Sequence, residues 1–310
     1  MSIETPVVFI IFNRPDLTQV VFEAIRQAQP AQLFVIADSA RSTGEVEKCR
    51  QAREIINQVD WKCEVLTNFS EVNLGCRKRI SSGLDWVFSI VDEAIILEDD
   101  CLPAPSFFAF CQELLDRYRF DRRIAVISGN NFQNGHGRTT SSYYFSKYNH
   151  CWGWATWRRA WQYWQDDPAI WLEFRDRNLM SNVCEHELER KYWTKIFNRV
   201  FFDRQPDSWA YIWMFSCWSQ SGLTILPNQN LVSNIGFRDD ATNTSRHHPL
   251  ANLPTGDICN IKHPPFVVRH HEADLYTFNR LFKNSWLNKI RNFGNKIGRK
   301  IRIELSNRSD

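Results

Sequence analysis

Along the first 130 residues of the 310-residue chain, the apolar positions switch repeatedly between two kinds of spacing. Short, nearly unbroken apolar runs, "VVFIIF", "QLFVIAD", "KCEVLTN", "EAIILED" and "IAVISG", predict strands. Between them, "DLTQVVFEAIRQA", "EVEKCRQAREIINQV", "RKRISSGLDWVFSIV" and "SFFAFCQELLDRY" repeat apolar residues three and four apart, which predicts helices with one buried face. Strands alternating in this way with amphipathic helices predict an α/β fold, a mostly parallel, doubly wound sheet flanked by helices.

Beyond residue 150 the pattern changes. "CWGWATWRRAWQYW" reads as an aromatic helix, and a long mixed stretch runs on to Gln220. "LTILP" and "NLVSNI" predict two more strands, and residues 236–249, "GFRDDATNTSRHHP", have the composition of a lid loop. No repeat, low-complexity segment or linker divides the chain into independent domains.

Composition adds three constraints. Ten of the thirteen tryptophans lie between Trp152 and Trp218, so the C-terminal half is aromatic-rich. None of the nine cysteines falls in a CxxC spacing, which argues against a disulfide framework or zinc knuckle and for reduced thiols in a cytoplasmic protein. The apolar run near the N-terminus is too short to span a membrane and lacks the flanks of a signal peptide.

The formal charge of +3 is unevenly spread. Residues 280–310 hold nine bases and two acids, leaving 29 bases and 33 acids elsewhere. In this tail Phe282, Trp286, Ile290, Phe293, Ile297 and Ile301 form an apolar stripe among basic residues, a pattern that suits an anionic membrane surface at its inner face, or packing on the body or another subunit. An acidic body without a wider basic face argues against nucleic acid as a partner.

The candidate chemistry follows from the fold class, because ligands on doubly wound sheets bind at the C-terminal ends of the strands. Each predicted strand ends in polar groups: Asn13 and Arg14 after the first, Asp38 after the second, and Glu98, Asp99 and Asp100 after the fourth. Adjacent carboxylates repel one another unless a positive charge lies among them, and a hard divalent cation, Mn²⁺ or Mg²⁺, is the natural partner. Such an ion commonly takes one or two carboxylates and completes its shell on phosphate oxygens. The alternative is that the acids interact with the N-terminus of the helix in "PAPSFFAF".

Taken together, "ILEDD", "PAPSFF" and "CWGWATWRRAW" resemble GT-A glycosyltransferases related to N-acetylglucosaminyltransferase I, and more closely the bacterial hemolytic-protein-like glycosyltransferases. The resemblance covers most of residues 5 to 275. It implies a GT-A domain over 1–275, with a nucleotide-binding part at about 1–130, an acceptor-binding part at 131–275, and a basic tail over 276–310. It also implies inverting transfer of a sugar from a nucleotide-sugar donor, usually a UDP-sugar, to a glycan or glycolipid acceptor. In that pattern Asp100 touches the metal, and Glu98 and Asp99 face the ribose and donor sugar. Arg14 and Asp38 lie near the nucleotide base, and one of Arg77, Lys78 and Arg79 lies near the nucleotide.

Inverting transfer needs a carboxylate to take the acceptor's proton. The resembling family has an acid directly after the first tryptophan of "QPDSWAYIWMF", where this chain has Ala210. Asp207 is the nearest carboxylate, and reads equally as that base or as the cap of the following helix. Trp152 and Trp154, at a glycine-containing turn, are candidates for stacking on sugar. The pairs His247–His248 and His270–His271 lack zinc spacing. Two rival classes remain: a non-catalytic carbohydrate-binding, membrane-associated protein on the same fold, and a nucleotidyltransferase. The absence of glycine from "FIIFNRPDLT" counts against the latter.

Overall fold

The computed structural model of the protein describes residues 3–238 and 249–283. Its first half follows the expected alternation: β1 (Val7–Ile11), α1 (Pro15–Ala28), β2 (Gln32–Ala37), α2 (Val46–Glu54), β3 (Glu64–Phe69), α3 (Cys76–Ile90) and β4 (Glu93–Glu98). There follow β5 (Cys101–Pro103), α4 (Ser106–Arg117), β6 (Ile124–Ser128) and β7 (Tyr143–Ser146). The aromatic stretch gives β8 (Trp154–Trp157) and α5 (Arg158–Trp161). After it come α6 (Pro168–Asp176), α7 (Met180–Val183), α8 (Glu187–Phe201), α9 (Trp209–Ser219), β9 (Leu223–Pro227), β10 (Val232–Asn234) and α10 (His271–Thr277).

Eight strands form one sheet in the order β3-β2-β1-β4-β8-β6-β9-β7. β8 runs antiparallel to both β4 and β6, and β7 antiparallel to β9, while the other pairs are parallel. Both halves of the chain therefore contribute to a single mixed but mostly parallel sheet. Short β5 and β10 form a separate antiparallel ladder.

One expected element is corrected. "WATW" is a strand, not the start of a helix, and the helix that follows spans only Arg158–Trp161. The strand lies inside the sheet, with Trp154 in the core layer on one face and Ala155 and Trp157 in the layer on the other. A strand buried on both faces shows no polar alternation, so its spacing does not distinguish it from a buried helix.

The second half adds a helical layer. α9 is apolar all round because it lies between two cores. Trp209, Trp213 and Cys217 pack with the sheet-facing cluster, and Ile212, Met214, Phe215 and Trp218 with the aromatic cluster of Trp171, Trp193, Phe197 and Phe201. No helix among the described residues is long and apolar enough to cross a membrane.

Candidate functional site

The register brings the sequence candidates to one edge. Ile11 lies opposite Ala37, Ala37 opposite Phe69, and Ile10 opposite Glu98, so β1 to β4 end at one level. The segments carrying Asn13, Arg14, Asp38 and the acid triplet all leave the sheet there.

Glu98 is the last residue of β4, and Asp99 and Asp100 form the turn into β5. The helix-dipole alternative fails, because β5 separates the acids from α4, which begins only at Ser106. Arg14, immediately before α1, faces the acids. Its Nη1 donates to Asp100 Oδ2 at 2.9 Å and its Nη2 to Asp99 Oδ1, and the backbone N–H of Phe12 donates to Asp99 Oδ2 at 3.4 Å.

One guanidinium does not balance three carboxyl groups. Burial, followed by the charges of Asp100 and Asp99, pushes Glu98 up to about 8, against the pull of Arg14 and of a hydrogen bond from Trp209. Burial likewise pushes Asp99 up to about 6, outweighing Arg14. Burial works against the charge on Arg14, but Asp99 and Asp100 override it and hold the guanidinium above its ordinary range.

This surplus of hard oxygen donors, short of positive charge, suits Mn²⁺ or Mg²⁺. Among the described residues no three His, Cys, Asp or Glu side chains converge as a cage for a metal ion. A cation held by Asp100 would therefore need further oxygens from water or from phosphate.

The chain returns to wall this site. β10 pairs with β5, and the N–H of Ile235 donates to the carbonyl of Asp100 at 2.9 Å. A Cβ at Gly236 would sit 2.2 Å from Asp100 Oδ2 and 2.8 Å from its Cβ, so only glycine lets the backbone pass. Trp152 stands beside this segment, its ring 5.4 Å from those of Phe132 and Phe237. Trp154 is placed differently from expectation: it is 1% exposed and stacked on Trp209, offering no face to a sugar.

Other candidates serve the frame around the acids. Asp38 accepts the N–H groups of Ser39, Leu74 and Gly75 at 2.9 to 3.1 Å, tying the end of β2 to the turn before α3. Asn13 donates to Glu45 at 3.0 Å. Arg79 is buried and clasps the carbonyl and side chain of Asn68 at the end of β3. Arg77 lies between Asp207 at 3.5 Å and Asp166 at 3.8 Å, and donates to the carbonyl of Val200 at 3.4 Å.

Asp207 does not cap a helix. α9 begins at Trp209 with Ser208 before it, so Asp207 lies outside the helix that carries Ala210. The Asp207 carboxylate turns to Arg77 and lies against Gly75, whose φ of +79° suits glycine. Ala210 packs at the rim of a core cluster.

Sequence reasoning missed Cys76, the first residue of α3. Its thiol is pushed up by burial and then by Glu98, Asp207 and Asp100, so it is close to both acidic groups. Cys151 is raised by burial and then by Glu98. No spacing rule would have found these single thiols.

Several expectations fall elsewhere. His270 caps α10 through Ala273, and His271 pairs with Glu185 at 2.6 Å. His247, His248, most of the lid loop and the tail beyond Lys283 lie outside the described residues. Cavities of about 390 and 140 Å³ open away from the acids, one beside Tyr144 and Phe266, the other beside Arg159 and Trp213.

No known family model matches the chain, and no curated protein does. Among solved structures it is similar to UDP-glucose pyrophosphorylase complexed with UDP-glucose, at 12% identity and a TM-score of 0.27. The match covers 46% of this chain and 62% of the pyrophosphorylase, and so remote a likeness says nothing of function.

Proposed function

We propose that the protein is a metal-dependent inverting glycosyltransferase that takes a nucleotide sugar, a UDP-sugar by resemblance, as its donor. The acceptor in this reading is a glycan or lipid-linked saccharide. The observation that carries it is the acid triplet, set by the register at the shared edge of four strands and left short of positive charge. A divalent cation on Asp100 would supply charge to offset the negative charge that builds on a departing diphosphate.

The chain's own residues take the remaining roles. Asp38 and Arg79 fix the loops at the ends of β2 and β3, giving the donor's nucleoside a rigid floor. Asp207, 47% exposed, is the proposed acceptor of the proton from the attacking hydroxyl, and Arg77 and Gly75 hold it in place. Trp152 is the proposed apolar wall for the donor sugar.

The test is product analysis with UDP-sugars and Mn²⁺. Release of nucleoside diphosphate, abolished by Asp100→Ala, is expected. Exchange of pyrophosphate would point to nucleotidyl transfer instead, and binding without turnover would leave the carbohydrate-binding alternative.

A further inference from the structure

We infer that Arg14 is a built-in counter-ion that competes with the divalent cation for Asp100, so that cation and anionic donor bind cooperatively. The inference rests on the proposed reading of the acid triplet as a cation site, and adds a counter-ion role for a residue that faces Asp100.

Three features carry it. Arg14 donates to Asp100 Oδ2, and Gly236 lies so close to the same oxygen that a Cβ there would clash with it. The other oxygen, Oδ1, lies 3.5 Å from the thiol of Cys101, a residue with no exposed surface. A cation therefore reaches Asp100 most directly by taking the place of the guanidinium. Arg14 has room to leave: its side chain is 23% exposed, and it precedes α1 without making a side-chain cap bond.

Departure of Arg14 would expose Asp99 and Asp100 to each other's charge, so it is unfavourable unless something replaces that charge and something else receives the guanidinium. A cation does the first. A diphosphate does the second, since a guanidinium fork matches phosphate oxygens at least as well as a carboxylate. Each ligand therefore relieves the cost borne by the other. By linkage the effect is reciprocal: nucleotide tightens cation binding by the same factor by which cation tightens nucleotide binding. Without nucleotide, Arg14 keeps the site closed to cations and spares the protein a bare acidic edge.

The experiment is calorimetric titration of Mn²⁺ into the full chain, alone and with saturating UDP, for the wild type, Arg14→Ala and Arg14→Lys. The wild type is expected to bind Mn²⁺ weakly alone and at least about tenfold more tightly with UDP. Arg14→Ala should bind Mn²⁺ alone at least about tenfold more tightly than the wild type, and UDP should tighten its Mn²⁺ binding by a smaller factor than in the wild type, because only direct metal–phosphate contact remains. Arg14→Lys, which keeps a charge and reaches only one carboxylate, should fall between them and guards against a folding defect in the alanine variant. If the wild type binds Mn²⁺ with UDP but Arg14→Ala and Arg14→Lys gain no affinity for Mn²⁺ alone, the competition is wrong while the site reading stands. Failure of the wild type to bind Mn²⁺ with or without UDP would overturn the site reading, and the inference with it.

Discussion

At the residue scale, Asp207 and Asp100, two of the three carboxylates that act on Cys76, are proposed for different work, and substitution should separate them. Asp207→Asn should lower transfer by about 100- to 10,000-fold, the range for loss of a general base, while donor binding survives. Loss of donor binding in the same variant would show that Asp207 belongs to the donor site. Gly236→Ala places a methyl group against the Cβ and carboxylate of Asp100, and is expected to weaken Mn²⁺ binding in the presence of UDP at least tenfold. Unchanged Mn²⁺ affinity would mean that the 235–238 segment yields easily. The acid triplet itself was legible because a buried run ends abruptly in three charges. The partnership with Arg14 was not, since 85 and 86 positions separate the partners and only the sheet register brings them together. Trp154 misled for the opposite reason, because a glycine neighbour suggests access while packing on both faces of the sheet removes it.

At the element scale, the alternating period of the first half specified β1 to β4 and their helices, because each helix buries one stripe and β1, β2 and β4 are buried along nearly their whole length, while β3 lies at the exposed edge of the sheet. β7 and β8 were lost because four-residue strands in a sequence dense with aromatics carry no period of their own. The helical layer rests partly on a buried ion pair between the end of β7 and α8. Lys147 Nζ lies 2.8 Å from Glu189 Oε1, their side chains 5% and 4% exposed. Tyr148 also donates to Glu189 and accepts from Trp193. Glu189→Gln strands the Lys147 charge in the interior, and should lower the unfolding free energy by about 3–5 kcal/mol in urea titration. A loss under about 1 kcal/mol would show that the carbonyl of Val183, which also accepts from Lys147, satisfies the ammonium unaided.

At the scale of the whole molecule, stability should depend on pH in part through His150. Its ring is buried against Phe132, and burial pushes it down to about 3, against about 6.5 in an unfolded chain. Between those values the unfolded chain binds a proton that the folded one refuses, so this contribution is favourable near neutrality and is lost as pH falls below about 6.5. The raised Glu98 and Asp99 act in the opposite direction, because the folded state holds their protons more firmly. The His150 part is therefore read as a difference. From pH 7.5 to pH 5 the wild type should lose roughly 2 kcal/mol of stability relative to His150→Phe. Parallel pH profiles for the two proteins would contradict a neutral, buried imidazole.

The proposed function requires the acids at the end of β4 to hold a divalent cation, and through it a diphosphate. Thermal unfolding of the wild type and Asp100→Ala in the presence of UDP-, GDP- and CMP-sugars, each with and without Mn²⁺, tests it most directly. A ligand bound only by the folded state raises the melting temperature. A rise with a UDP- or GDP-sugar that requires Mn²⁺ and disappears in Asp100→Ala is expected. No Mn²⁺-dependent rise with any of them, or an equal rise in the variant, would contradict it.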